Sequence, residues 1–142
     1  MKYIAYGSNM SREQMAYRCP GAKLIGTGFL HGYQLEFNRH ATVIKTQSKK
    51  DTVPVAIWEI SPEHERNLDL YEGCPVYYGK TECKVTSGNG SQIKGLIYIM
   101  QDFRPRPPHK QYYEGIRDAY LDLGLAEHID QVLVPALERS DR

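Results

Sequence analysis

Two β-type runs, Val76–Val85 and Gln92–Met100, flank the turn segment Ser87-Gly88-Asn89-Gly90-Ser91, and no other stretch constrains the fold as tightly. Asn and Gly tolerate the left-handed backbone of a tight reversal, so the two runs are expected to pair as an antiparallel hairpin. Further β-type runs at Lys2–Tyr6, Ala22–Phe29, Tyr33–Phe37, Thr42–Lys45 and Val53–Ile60 predict about six or seven strands in all. A second hairpin is expected at Gly32, between Ala22–Phe29 and Tyr33–Phe37.

Helical signals are fewer. Ser11 and Gln14 have capping-box spacing ahead of a helix to Arg18, which Cys19-Pro20-Gly21 ends. Ser61 followed by Pro62 predicts a second helix running to about Glu72, where Gly73 offers a left-handed stop and Pro75 forbids continuation. After the connector Pro105, Pro107 and Pro108, an apolar stripe at Tyr112, Ile116, Ala119, Tyr120 and Leu123 has helical spacing. Leu125, Ile129 and Val132 continue it beyond Gly124 until Pro135, which is expected to kink or end the segment. Short helices supply too few crossovers for a parallel sheet. The predicted fold is therefore α+β, a mainly antiparallel, closed or nearly closed β-barrel flanked by helices.

Composition narrows the function classes. A chain of 142 residues is expected to form one domain, residues 1–142, around one core. A net charge of +1 gives no field for gripping phosphate backbones or anionic lipid, so neither a nucleic-acid nor a membrane partner is expected. The longest apolar run, Leu96–Met100, is five residues, and the N-terminus lacks a signal-peptide pattern. Cys19, Cys74 and Cys83 form no CxxC pair and are odd in number, which argues against a disulfide framework or a zinc cluster and fits a reducing, cytoplasmic setting. The five histidines show no metal-ligand spacing and read as ordinary surface or satisfied residues. Eleven of the aromatics are tyrosines, whose hydroxyls need partners when buried, so some are candidates to line a polar pocket.

Two positions carry candidate chemistry. Tyr6-Gly7-Ser8-Asn9 lies between a strand and a capped helix. Gly7 is expected to take a sharp turn at positive φ, presenting backbone N–H groups to an anionic small molecule; a plain capped turn is the alternative. Glu72 falls four residues after Leu68 on the same helical stripe, which aims it inward at a helix C-terminus. Burial and the helix dipole both raise a carboxylate pKa there, toward the range that suits a general base; a frayed, solvated glutamate is the alternative.

Together, Tyr6-Gly7-Ser8-Asn9-Met10, Leu68-Asp69-Leu70-Tyr71-Glu72-Gly73 and the segment Pro108–Leu125 resemble the γ-glutamylcyclotransferase superfamily in order and separation. That superfamily includes the γ-glutamylamine cyclotransferases and the plant AIG2-like proteins. The resemblance extends to about residue 125 and implies a barrel with flanking helices that releases 5-oxoproline from small γ-glutamyl substrates, without metal or organic cofactor. It places the catalytic glutamate on Glu72 and the substrate-cradling loop on Tyr6, Gly7, Ser8 and Asn9. Tyr78, Tyr98 and Tyr112 match family pocket tyrosines, with Tyr77 and Tyr113 as adjacent competitors for the first and last. The chain departs from the glutathione-pathway members at Asn38–Ile44, where Arg39-His40-Ala41-Thr42 replaces a Trp- and Gly-bearing element. The leaving amine is thus open among an amino acid, a lysine-type side chain and a natural-product amine. A non-catalytic binding protein and a γ-glutamyl amide hydrolase are the alternative functions.

Overall fold

The computed structural model describes residues 1–141. Among the described residues seven strands are formed, β1 (Lys2–Ala5), β2 (Lys23–His31), β3 (Tyr33–Asn38), β4 (His40–Lys45), β5 (Thr52–Glu59), β6 (Tyr78–Ser87) and β7 (Gln92–Met100). Four α-helices accompany them, α1 (Arg12–Arg18), α2 (Pro62–Glu72), α3 (Lys110–Asp122) and α4 (Val134–Ser140). Five strands close into a barrel in the order β1-β5-β2-β6-β7. Every pairing is antiparallel except the closing one, a parallel bridge between Tyr3 of β1 and Leu96 of β7.

Closure depends on two glycines that allow strands to approach. A Cβ on Gly95 would lie 2.7 Å from Ile4 of β1, and one on Gly28 would lie 2.5 Å from the Thr86 carbonyl of β6. Inside, Ile4, Ile57 and Ile97 are almost wholly removed from water. The β6–β7 hairpin pairs from Tyr78↔Met100 to Thr86↔Gln92, as its turn sequence predicts.

The expected hairpin at Gly32 does not form. Gly32 turns the chain out of the barrel at φ 81°, donating to the Asp51 carbonyl at 2.7 Å and accepting from Thr46 N–H at 2.8 Å. β2 instead pairs with β5 as far as His31↔Thr52, while β3 pairs with β4 in a separate two-stranded sheet. The reversal lies at Asn38-Arg39-His40, with Arg39 at φ 63°, where no glycine marks it.

Pro135 does not end the last helix. A π-helical turn, Ile129–Leu133, runs directly into α4, with the Val134 N–H bonded to the Ile129 carbonyl. Proline then sits in the first turn of α4, where its missing donor is tolerated. Arg139 of α4 grips β3, donating to Glu36 Oε1 at 3.0 Å and to the Leu35 carbonyl at 2.9 Å. Among the described residues no helix is long and apolar enough to cross a membrane.

Candidate active site

A cavity of about 250 Å³ opens where β1, the loop after it, the end of α2, β4, β6, β7 and α3 converge. All eight residues chosen from the sequence line it: Glu72, Tyr6, Gly7, Ser8, Asn9, Tyr78, Tyr98 and Tyr112. Tyr3, Ile4, His40, Ala41 and Tyr71 complete the wall, so Glu72 is the one carboxylate among the lining residues.

Helix α2 aims Glu72. Ser61 Oγ accepts from His64 N–H at 3.2 Å, and Ser61 N–H donates to His64 Nδ1 at 3.1 Å, a reciprocal capping box with His in the usual Glu or Gln position. The stop is Gly73 at φ 62°. Leu68, fully buried, holds the inward stripe, and Glu72 follows one turn later, partly buried against the cavity. Burial raises its pKa to about 7, with the Arg18 guanidinium opposing the shift. Among the described residues nothing donates a hydrogen bond to this carboxylate.

The loop after β1 is held by residues that the sequence reading did not single out. Ser8–Met10 forms one 3₁₀ turn, with Met10 N–H bonded to the Gly7 carbonyl at 3.0 Å. Gly7 has φ −122°, which corrects the expected positive φ. Its small size matters instead, since a Cβ there would press on Ala41 Cβ at 3.1 Å and reach within 3.6 Å of the Tyr112 hydroxyl. Asn9 is buried and fully engaged: it donates to the Tyr3 hydroxyl at 2.9 Å, accepts from Arg18, and its carbonyl accepts from Trp58 Nε1 at 3.0 Å. Arg18 also donates to Ser8 Oγ at 3.1 Å and stacks 3.3 Å above the Tyr71 ring. In the sequence Arg18 reads only as a cation in a helix's last turn; the packing of α1 beside the loop gives it a site position.

The tyrosines resolve into definite polarities around one peptide unit. Ala41 N–H donates to the Tyr112 hydroxyl at 3.0 Å, and the Tyr78 hydroxyl donates to the Ala41 carbonyl at 2.8 Å. Tyr112, which accepts from Ala41 and has the Ser8 side chain beside its hydroxyl, has its own proton to give on the cavity side, whereas Tyr78 keeps lone pairs free to accept. Tyr98 donates to Asp69 Oδ1 at 2.6 Å, and Tyr6 donates to the Tyr98 carbonyl, so these two wall the cavity chiefly with their rings. Burial, with the charge of Glu72 acting in the same direction, holds Tyr3, Tyr6, Tyr78 and Tyr112 well above the ordinary phenol range, and all four are neutral hydroxyls at physiological pH. Both adjacent-tyrosine ambiguities close: Tyr77 is 71% exposed against 8% for Tyr78, and Tyr113 packs on Phe37 away from the cavity.

His40, set aside with the other histidines in the sequence, lies edge-on to the Tyr112 ring at 5.1 Å. Burial, with His109 and Arg18 adding to it, lowers its pKa, so the imidazole is neutral at pH 7. Among the described residues no three His, Cys, Asp or Glu side chains converge as a metal centre requires.

Residues 3–117 match the family model described as gamma-glutamyl cyclotransferase, AIG2-like. The human protein named gamma-glutamylcyclotransferase is 30% identical over 150 aligned positions, covering 98% of this chain and 79% of the relative. The mouse protein of the same name is 28% identical, covering 92% and 76%. A solved structure titled gamma-glutamyl cyclotransferase superposes with a TM-score of 0.85 at 25% identity, covering 94% of this chain and 85% of that one. A Bacillus subtilis protein, YkqA, shares the fold at a TM-score of 0.74 and 20% identity. With a closed barrel carrying this tyrosine-walled cavity between its strands and the flanking elements, and a family match over most of its length, the chain belongs to the gamma-glutamyl cyclotransferase, AIG2-like family.

Proposed function

We propose that the protein is a γ-glutamylcyclotransferase that cyclises the glutamyl part of a small γ-glutamyl amide to 5-oxoproline and releases the amine. The observation that carries this reading is one carboxylate, Glu72, raised to a pKa of about 7 and accepting no hydrogen bond among the described residues, at the wall of a cavity of about 250 Å³ with room for a glutamyl head. A carboxylate poised near neutrality takes and returns a proton with little driving-force penalty in either direction.

In the reaction, Glu72 removes a proton from the substrate's α-ammonium, and the freed amine attacks the γ-carbonyl carbon of the same molecule. The new C–N bond closes a five-membered ring and leaves a tetrahedral oxyanion. Glu72 then passes its proton to the departing nitrogen and takes the second proton from the ring nitrogen; the original C–N bond breaks, the carbonyl re-forms as the neutral lactam, and the released amine carries that last proton away as its ammonium. The nucleophile is built into the substrate, so holding the right conformer supplies an effective molarity of about 10⁵ M or more. The loop from Tyr6 to Asn9 positions the glutamyl head. Tyr112, with its proton free, donates to the developing oxyanion, and Tyr78, with free lone pairs, receives the ammonium or the amine. The chemistry calls on no metal or organic cofactor.

The test is product analysis in ¹⁸O-labelled water with a γ-glutamyl amino acid. The expected product is 5-oxoproline with no label in the lactam carbonyl and no free glutamate. Glutamate carrying solvent oxygen as the main early product would make the enzyme a hydrolase, and binding without turnover would make it a binding protein. Acetylating the substrate's α-amine is expected to stop the reaction, because it removes the nucleophile.

A further inference from the structure

A second chamber, of about 640 Å³, lies against the first and shares His40, Tyr71, Glu72 and Tyr78 with it. From its lining, we infer that the leaving amine of the substrate occupies this outer chamber and is of one class: an amine with a bulky apolar body and an anionic end, such as a large apolar amino acid. The inference rests on the cyclotransferase reading and names the substrate class within it.

Position comes first. The inner cavity, at about 250 Å³, has room for a glutamyl head with its γ-carbonyl at Glu72. With the γ-carbonyl at Glu72, which lines both chambers, the group attached to it faces the larger space.

The apolar character is concentrated there. Leu70, Val76 and Tyr77 are 83%, 73% and 71% exposed, and with Tyr71 they are four of the nine exposed large hydrophobics among the described residues. Single exposed apolar side chains need no explanation, but a group of four opening onto one chamber beside the candidate base marks surface that a ligand covers.

The charge comes from the β3–β4 tip and the connector after β7. Arg39 and Arg106 line the chamber, with Asp102 as the one acid besides Glu72. Arg39 N–H bonds to the Arg106 carbonyl at 3.0 Å and Arg106 N–H to the Phe37 carbonyl at 3.1 Å, which straps the tip to the connector. Arg106 Nε donates to Asn38 Oδ1 at 2.8 Å, fixing that guanidinium too. Arg39 holds φ 63°, a left-handed conformation that asparagine or glycine adopts with less strain, so a long cation at this tip points to a use for its charge. Two guanidiniums favour a carboxylate that accepts in pairs and disfavour a cationic amine tail.

The experiment compares 5-oxoproline release from four γ-glutamyl amides, those of phenylalanine, phenylalaninamide, glycine and the lysine ε-amine. kcat/KM for the phenylalanine derivative is expected to exceed that for phenylalaninamide about three- to tenfold at low salt, narrowing as ionic strength rises. It is expected to exceed that for glycine by about tenfold or more, through apolar contact. Arg39→Gln with Arg106→Gln should bring the phenylalanine-to-phenylalaninamide ratio toward one, while Arg104→Gln, on the same connector but outside the chamber, should keep it. Arg39→Gln alone, at an exposed hairpin tip, preserves the test should the double variant fail to fold. A lysine derivative processed as well as phenylalanine, or a ratio unmoved by Arg39→Gln, would overturn the inference. Release of 5-oxoproline without discrimination sinks this inference alone; no 5-oxoproline from any of the four sinks the proposed function and this inference with it.

Discussion

The two chambers that meet at Glu72 are built on opposite principles. In the inner one Tyr3, Tyr6, Asn9, Tyr78 and Tyr98 are all under 9% exposed, and their polar atoms are bonded to backbone, to Asp69, to Arg18 or to each other. In the outer one the apolar wall stands in water, and Arg39 and Arg106 project from a hairpin tip and a proline-rich connector. A donor that stabilises a transient oxyanion must already be in place when charge develops, and a buried, bonded hydroxyl achieves that. Recognition of a leaving group tolerates looser contacts, because affinity for varied bodies comes from area and charge rather than from a single aligned bond.

Glu72→Gln should break the comparison most severely. It keeps shape and removes the proton carrier, so turnover is expected to fall about 10²- to 10⁴-fold, measured as 5-oxoproline release by purified enzyme. Activity within threefold of wild type would show that the inner chamber does no acid–base chemistry. The same variant has a stability signature of definite sign. Because the folded Glu72 pKa is raised from 4.5 to about 7, the native state holds a proton that the unfolded chain has released between those values, and stability falls as pH rises through that window. The variant lacks this loss, and at pH 8 it should gain on the order of 3 kcal/mol relative to wild type, with the gain vanishing below pH 4.

Tyr112→Phe is the next step down. The Ala41 N–H loses its acceptor and the oxyanion loses its donor, for an expected cost in kcat of about ten- to a hundredfold. Tyr98→Phe should cost less, since that hydroxyl already donates to Asp69. A Tyr98 variant more damaged than Tyr112→Phe would move the donor role to the wrong side of the cavity. In the outer chamber, Tyr77→Ser is expected to raise KM a few-fold for bulky amides with kcat nearly unchanged, since uniform binding is what a solvent-facing wall supplies. A drop in kcat without change in KM would place Tyr77 in the chemistry and erase the distinction between the chambers.

How much of this was legible beforehand follows the same division. The barrel could be read because its strands carry their own punctuation: Ser87–Ser91 fixes β6–β7, and Ser61, Pro62 and Gly73 frame α2. The inner wall could be read because Glu72 shares a stripe with Leu68 and the tyrosines match a family pattern. The β3–β4 hairpin could not, because its reversal at Arg39 has no glycine and its sheet stands apart from the barrel, while Gly32 sends a turn signal that tertiary bonds to Asp51 and Thr46 redirect. Arg18 and His40 were invisible for a related reason. Nothing local distinguishes an arginine ending α1 from a solvated one; its meaning lies in Ser8, Asn9 and Tyr71, which are near it only after folding.

Arg18 gives the smallest and most discriminating prediction. Its guanidinium touches the loop and the Tyr71 face, and its charge holds the Glu72 pKa below where burial alone would set it. Removing it in Arg18→Gln should shift the acid limb of kcat/KM, which reports the free enzyme, upward by roughly half a unit to one unit, so that activity falls more at pH 6 than at pH 8.5. Loop distortion alone would lower activity evenly across pH. Arg18→Lys separates the two causes, because it restores the charge without the planar fork that bridges Ser8 and Asn9 or the stacking on Tyr71: the limb should return toward the wild-type position while the plateau stays depressed. A limb that stays in place in Arg18→Gln would mean that the inner chamber sets the Glu72 pKa by burial alone, and that Arg18 serves only to fasten the loop.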